Sequence, residues 1–459
     1  MAKDLRSFLD QVKKELPNDY LSIKKPVDPV NFDVTAILEH LTLKKKDPLV
    51  VFEDPKNMKG EASGMRLVSN IFATRERCAL ALDWPVDDCK HGLTMEYARL
   101  DRERIKPLAI EKDAAPVKEI VLKGADADPA ILPGVRHYEM DLSPVFTMTL
   151  VMKDPDTGIY DITFAKSFYK GSPRLGVSIH TPHLDRIVRK YRERNEPAPI
   201  INVLGHHPAF YLGSLALTLY DSDDYESVGA FLREPLRLVE SETWGKDFMV
   251  PADAEIIIEG VLPPGEMEVV DPFGEVTRHY QAQCLRQAMQ VTAITRRKDA
   301  IMQDIFSGHA GHWNLGAIPK EGSVFNAVNN RYGNVKAVHM PLSGVGRFAC
   351  YISIDKKREG DAMAAGMAAL LESWTFQYVV VVDAEIDVFD EQEVIWALIT
   401  MVDPKRDVSV VNNIYTMFTT AQGHNKVVID ATRPMDRAFP KRFRVPPSAM
   451  ERIKLEDWI

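Results

Sequence analysis

Cysteine is scarce. Cys78, Cys89, Cys284 and Cys350 are scattered with no C-x-x-C pair, which excludes a disulfide framework and a structural zinc site and fits a reducing compartment. An excess of positive charge is missing too: 57 Lys and Arg against 66 Asp and Glu give a net charge of −9, and the longest basic stripe is Lys44 to Lys46. The electrostatic footprint of a nucleic-acid binder is therefore absent. No run approaches the roughly 18 to 20 apolar residues that cross a bilayer. The first residues lead straight into a helical pattern (Leu5, Phe8, Leu9, Val12) rather than the apolar stretch of a signal peptide. The expected setting is cytoplasmic, with neither nucleic acid nor membrane as partner. Also missing are G-x-x-x-x-G-K-[ST], G-x-G-x-x-G, H-E-x-x-H and G-x-S-x-G, which removes most of the weight from phosphate-loop enzymes, dinucleotide folds, zincins and α/β-hydrolases.

What is present is a chain of 459 residues, 45% hydrophobic and 27% charged, the composition of a globular protein. At roughly 150 residues per domain, two or three domains are expected. Residues 1–115 mix short helical periods with the apolar run Pro48 to Phe52 and read as a small α/β unit. The charged, proline-ended segment Glu111 to Pro116 marks a boundary. From there to residue 312, short β-like runs (Phe146 to Val151, Ile159 to Phe164, Ile200 to Leu204, Glu255 to Val261) separated by turn residues predict a β-rich middle domain, with a barrel as one form. Residues 313–459 return to α/β. An Ala/Met/Leu-rich helix from Asp361 to Trp374 precedes the strand Tyr378 to Asp383; Asp390 caps a helix through Val394 to Ile399, and Val408 to Val411 is a strand. There is no internal repeat.

Four segments could carry chemistry. Asp161 and Lys166 lie five apart on the expected strand from Thr157 to Lys166, so regular β geometry turns them to opposite faces unless a bulge intervenes. They are either solvent-facing charges or site residues. His180 and His183, three apart, either reach one metal or flank a turn. The acids Asp221, Asp223 and Asp224 either cap a helix or, with Asp161 and one histidine, supply the oxygen-rich ligation that suits Mg²⁺ or Mn²⁺ better than zinc. Finally, Glu266, Glu268, Asp271 and Glu275 surround a Pro-Phe-Gly turn. That is either a surface hairpin or the setting of a general acid whose pKa is raised beside Phe273.

In order along the chain, Met249 to Ala252, Glu255 to Gly260, Pro272 to Glu275, Val379 to Val388, Val394 to Leu398 and Ile429 to Thr432 resemble the recurring V-P-A, E-I-V-x-E-G, P-F-G-E, V-V-V-D-x-D-I-D, V-x-W-A and I-D-A-T segments of the UbiD family of prenylated-flavin-dependent decarboxylases. The resemblance covers nearly the whole chain. It implies a mixed α/β subunit with an N-terminal α/β domain, a central split β-barrel that holds prenylated FMN, and a C-terminal α/β domain that mediates homo-oligomers, dimers or hexamers. It also implies that a flavin prenyltransferase supplies the cofactor.

Carried over by position, the family's metal-binding Asn, His and Glu fall on Asp161, His183 and Asp224. These would hold Mn²⁺ (or Mg²⁺ or Fe²⁺), with K⁺ nearby. The flavin would further contact Ile162, Thr163, Phe164, Ala165, Lys166, Ser214, Leu215 and Ala216. Of the family's Glu-Arg-Glu trio, the Arg falls on Lys166 and the last Glu on Glu275, while the first Glu falls on Val270. Lysine is a point charge without arginine's bidentate fork. Glu268 or Asp271 substitutes if the turn is shifted. The function implied is reversible decarboxylation of an aromatic or α,β-unsaturated acid, aryl-CoA and phenol-type substrates included, with CO₂ as co-product. Lys166 would hold the substrate carboxylate and Glu275, with a pKa near neutrality, would exchange the proton. A non-catalytic flavin-binding subunit that assembles with an active partner is the alternative.

Overall fold

Leu5, Phe8, Leu9 and Val12 recur at helical spacing, and all four are buried along one side of the helix Leu5–Glu15. The computed structural model describes residues 2–179, 181–416 and 425–459, so His180 lies outside the described residues. Asp4 accepts from the Ser7 N–H as the helix cap, and its other oxygen meets Arg297 Nη1 at 2.9 Å, which ties the first helix to the far end of the middle sheet.

The run expected as a strand near Pro48 is Leu49–Phe52, buried throughout, between Tyr20–Ile23 and Arg66–Ser69. A fourth strand, Ile301–Gln303, completes this sheet parallel to Arg66–Ser69, although it follows the middle sheet in chain order.

The middle sheet closes on itself. Its circuit runs through Ile256–Leu262, Ala198–Leu204, Val145–Lys153, Tyr160–Tyr169, Arg174–Val177 and Cys284–Arg296, and the last strand pairs back with the first from Ile256↔Arg296 onward. Val145–Lys153 is buried at every position but its last, and it carries apolar residues on both of its faces, with Thr147 and Thr149 the buried polar exceptions.

The C-terminal part is a five-stranded sheet in the order Val335–His339, Ala349–Ile354, Tyr378–Asp383, Lys426–Ala431, Val408–Val411. Helices Asp361–Glu372 and Glu391–Met401 accompany it, and Asp390 caps the second through the Gln392 N–H. Its faces pack into two separate apolar clusters, one around Val379, Val381 and Leu370, the other around Val380, Val382 and Val394.

The 23-residue helix Ala310–Tyr332 joins the parts. In its middle Glu321 is fully buried, paired with Arg75 at 3.0 Å and accepting from Thr94 Oγ1 at 2.8 Å and the Met340 N–H at 3.0 Å, with His339 Nδ1 at 2.8 Å. One carboxylate thus clamps the N-terminal helices to the C-terminal sheet. Among the described residues no helix is long and apolar enough to cross a membrane.

Candidate active site

Tyr160–Tyr169 pairs with Val145–Lys153 in unbroken register, Lys153↔Tyr160 to Val145↔Phe168. With no bulge, Asp161 and Lys166 face opposite sides of the strand. Each anchors its own group of residues.

Lys166 meets Glu275. Nζ donates to Oε1 at 2.9 Å and sits 5.1 Å from the centre of the Phe273 ring, within cation–π range. Glu275 is held by the hairpin that pairs Phe273–Gly274 with Tyr280–Gln281, and its other oxygen accepts from the Val276 N–H at 3.1 Å. Gly274 is required there, because a Cβ would lie 2.3 Å from the Tyr138 ring. Tyr138 and Gly274 also wall a cavity of about 600 Å³ lined by Phe32, Phe306 and His309.

Burial pushes the Glu275 carboxyl upward, but the Lys166 ammonium and its hydrogen bond, with the Val276 N–H and the Arg347 charge, together outweigh burial and leave the pKa below the ordinary value. The expected raised pKa is therefore corrected: apolar Phe273 is in place, but the cation beside the carboxylate decides the sign.

The acids expected as stand-ins for the missing first Glu are engaged elsewhere. Val270 is buried in a small apolar cluster with Val145, Phe168 and Phe273. Asp271 accepts from Ser143 Oγ at 2.9 Å and pairs with Lys170 at 3.2 Å, while Glu268 pairs with Arg174 at 3.2 Å. Among the described residues neither is hydrogen-bonded or ion-paired to Lys166 or Glu275.

At the other end, Asp161 Oδ2 lies 3.1 Å from His183 Nδ1. His183 is in the first turn of the helix Pro182–Glu193. Asp224, the first residue of the helix Asp224–Leu232, accepts from the Ile162 N–H at 2.8 Å and from Thr218 Oγ1 at 3.0 Å. The segment between residues 214 and 224 folds over the strand. Ser214 donates to Tyr211 O at 2.8 Å, Tyr211 packs on Phe164, and the Tyr220 ring stands edge-on to His183 with centroids 5.3 Å apart. Ile162, Thr163 and Ala165 are buried, and Leu215 and Ala216 partly so.

Burial raises the Asp161 carboxyl despite His183. Burial and the neighbouring Asp161 charge push Asp224 up to about 8. The hydrogen bond to Asp161 in turn raises His183. Two carboxylates forced together beside an imidazole are a donor set that a hard cation relieves. Next to them the N-terminus of the helix Pro182–Glu193 has no side-chain cap, and the buried Thr181 Oγ1 has no hydrogen-bond partner among the described residues. Free N–H groups at a helix start suit a phosphate, so the chemistry of these residues would suit a divalent cation beside a flavin phosphate. As they stand, no group of three or more His, Cys, Asp or Glu among the described residues is gathered closely enough to hold a metal by itself.

The C-terminal contribution escapes sequence reasoning. Trp313 Nε1 donates to Val276 O at 2.9 Å, beside Glu275, and Arg347 Nη1 donates to His312 O at 3.3 Å. No motif flags these residues; only the fold brings them near the turn that holds Glu275.

The three segments of the chain match three family profiles: the N-terminal domain of 3-octaprenyl-4-hydroxybenzoate carboxy-lyase over residues 13–91, its Rift-related domain over 109–310 and its C-terminal domain over 314–431. A structure of an evolved dimeric form of the UbiD-class enzyme HmfF from Pelotomaculum thermopropionicum, in complex with prFMN, is 32% identical, covers 100% of both chains and superposes with a TM-score of 0.88. The open form of vanillic acid decarboxylase from Sedimentibacter hydroxybenzoicus is 26% identical, covers 98% of this chain and 97% of that one, and gives a TM-score of 0.83. Anhydromevalonate phosphate decarboxylase of Methanothermobacter thermautotrophicus is 29% identical over 445 residues, 95% of this chain and 98% of that protein. With all three profiles matched in order and a full-length structural relative at 32% identity, the chain belongs to the UbiD family of decarboxylases.

Proposed function

We propose that the chain is a prenylated-FMN-dependent, non-oxidative and reversible decarboxylase of an aromatic or α,β-unsaturated acid. The Lys166–Glu275 pair carries this reading: an ion pair of a carboxylate and a cation, largely shielded from water and set on the Pro272 to Glu275 turn. Support for the cofactor comes from the flavin held by the HmfF neighbour, and support for the reaction from the named activities of the relatives. Prenylated FMN, when bound, supplies the electrophile that accepts electron density as CO₂ departs.

The residues do the rest. Lys166 orients the substrate carboxylate and holds Glu275 in place until substrate arrives. An incoming anion adds negative charge beside Glu275 and draws on Lys166, which lifts the Glu275 pKa from its depressed value and lets it carry a proton. Glu275 then delivers that proton to the carbon that lost CO₂ and removes it in carboxylation. Phe273 and Val270 keep water from competing.

Asp161, His183 and Asp224 are the proposed ligands of Mn²⁺, or of Mg²⁺ or Fe²⁺, at the flavin phosphate. K⁺ would bind nearby, and Ile162 to Lys166 together with Ser214 to Ala216 would line the flavin. We further assign residues 1–115, 116–312 and 313–459 to three domains, homo-oligomers to the last of them, the cofactor supply to a flavin prenyltransferase and the location to the cytoplasm. His183→Ala should lose metal and flavin together while the circular dichroism spectrum is unchanged; wild-type occupancy in that variant would refute the ligand assignment.

Candidate substrates follow from the relatives: vanillate, and anhydromevalonate phosphate as an unsaturated acid that also bears a phosphate. The test is anaerobic CO₂ release from these acids by protein co-expressed with the prenyltransferase. Turnover of either supports the reading. Flavin-loaded protein inert toward a broad set of aromatic and unsaturated acids would favour the non-catalytic alternative.

A further inference from the structure

The C-terminal part brings Arg347 within electrostatic reach of Glu275, and Lys320 within reach of Arg347. Arg347 follows the turn Leu342–Gly344. Gly346 there has φ +62°, and a Cβ on it would lie 2.2 Å from Trp313 O, so the loop presses directly on the first turn of the helix Ala310–Tyr332. The guanidinium then runs along that helix: besides its bond to His312 O, it passes so close that a Cβ on Gly316 would be 2.4 Å from Nη1. His312, Gly316 and Lys320 are four apart and form one stripe facing this loop. Lys320 Nζ donates to Ser373 Oγ at 3.3 Å.

Arg347 and Lys320 make no ion pair with any carboxylate among the described residues. Glu275 is the acid whose charge reaches Arg347, and it is already matched by Lys166. Burial pulls Arg347 down to about 10 and Lys320 to about 8. Both nevertheless keep part of their surface accessible. Two buried cations without an anion are costly, and their stripe points to a missing negative partner.

We propose that Arg347 and Lys320 form a subsite for a second acidic group of the substrate, distinct from the carboxylate that leaves, so that the substrate is a carboxylic acid bearing a further carboxylate or a phosphate. This rests on the decarboxylase reading. Gripping the departing carboxylate with two additional cations would stabilise the ground state and oppose loss of CO₂, whereas the same cations on a non-reacting group spend binding energy on orientation. Arginine's planar fork suits either oxyanion.

Isothermal titration of the protein co-expressed with a flavin prenyltransferase tests this, with benzoate, benzene-1,4-dicarboxylate and anhydromevalonate phosphate as probes and flavin content measured on the same samples. Wild type should bind at least one of the doubly acidic probes about tenfold or more tightly than benzoate. Arg347→Met should weaken that probe by about a hundredfold, with benzoate changed less than about threefold and flavin content unchanged. Arg347→Lys should fall between, and Lys320→Met should reproduce the selective loss. The subsite is refuted if wild type prefers neither doubly acidic probe, if Arg347→Met leaves their affinity intact, or if it expels the flavin instead. Absence of flavin from wild type would be the separate failure of the decarboxylase reading.

Discussion

Glu275→Gln is expected to lower turnover by about 10² to 10⁴-fold, the usual worth of a positioned acid or base, with flavin content unchanged. Glutamine keeps the size of the side chain and can still face Lys166, but it has no proton to deliver. Exchange of solvent hydrogen at the reacting carbon should fall with turnover, because both use the same proton. The companion substitutions separate charge from position. Lys166→Met should cost more than Lys166→Arg, since methionine leaves Glu275 without the cation that meets it at 2.9 Å, while arginine keeps the charge and adds the bidentate fork. With full activity in Glu275→Gln, the proton donor would have to lie elsewhere. Glu268 and Asp271 are poor replacements, being held by Arg174 and Lys170.

Glu321→Ala should destabilise the fold by about 3 to 5 kcal/mol, the cost of stripping a buried ion pair of one partner. Arg75, Thr94 and the Met340 N–H would all lose their acceptor in the interior. The same group sets an acid limit. Burial alone would raise its pKa, but Arg75 and His339 hold it down to about 2, below the ordinary value of 4.5. A depressed carboxyl contributes stability that is complete above the unfolded pKa and lost as pH falls toward the folded one. Denaturant midpoints of wild type should therefore drop between about pH 4.5 and 2, and the Glu321→Gln variant should lose that part of the slope. Equal midpoints for wild type and Glu321→Ala would contradict the clamp.

Much of the architecture was legible because local pattern and tertiary role agree. The period of Leu5, Phe8, Leu9 and Val12, the apolar runs of the middle sheet and the Asp390 cap each name an element that the fold retains. The return of Ile301–Gln303 to the first sheet was illegible, because a three-residue strand carries no signal of which sheet it joins.

At the site, the strand from Asp161 to Lys166 and the turn at Glu275 were readable from their motifs. What charge neighbours do was not. The sign of the Glu275 shift turns on Lys166, 109 positions away, and the engagement of Asp271 turns on Lys170. Arg347 and Lys320 gave no sequence signal at all, since each is one of many basic residues until the loop at Gly346 lays the guanidinium against the helix.

The most direct test is the identity of the cofactor. The protein should be co-expressed with a flavin prenyltransferase, prepared without oxygen and examined by native mass spectrometry together with its absorption spectrum. One prenylated FMN per chain is expected, lost together with the divalent metal in His183→Ala. Protein that emerges free of flavin, or carrying a nicotinamide instead, would contradict the assignment.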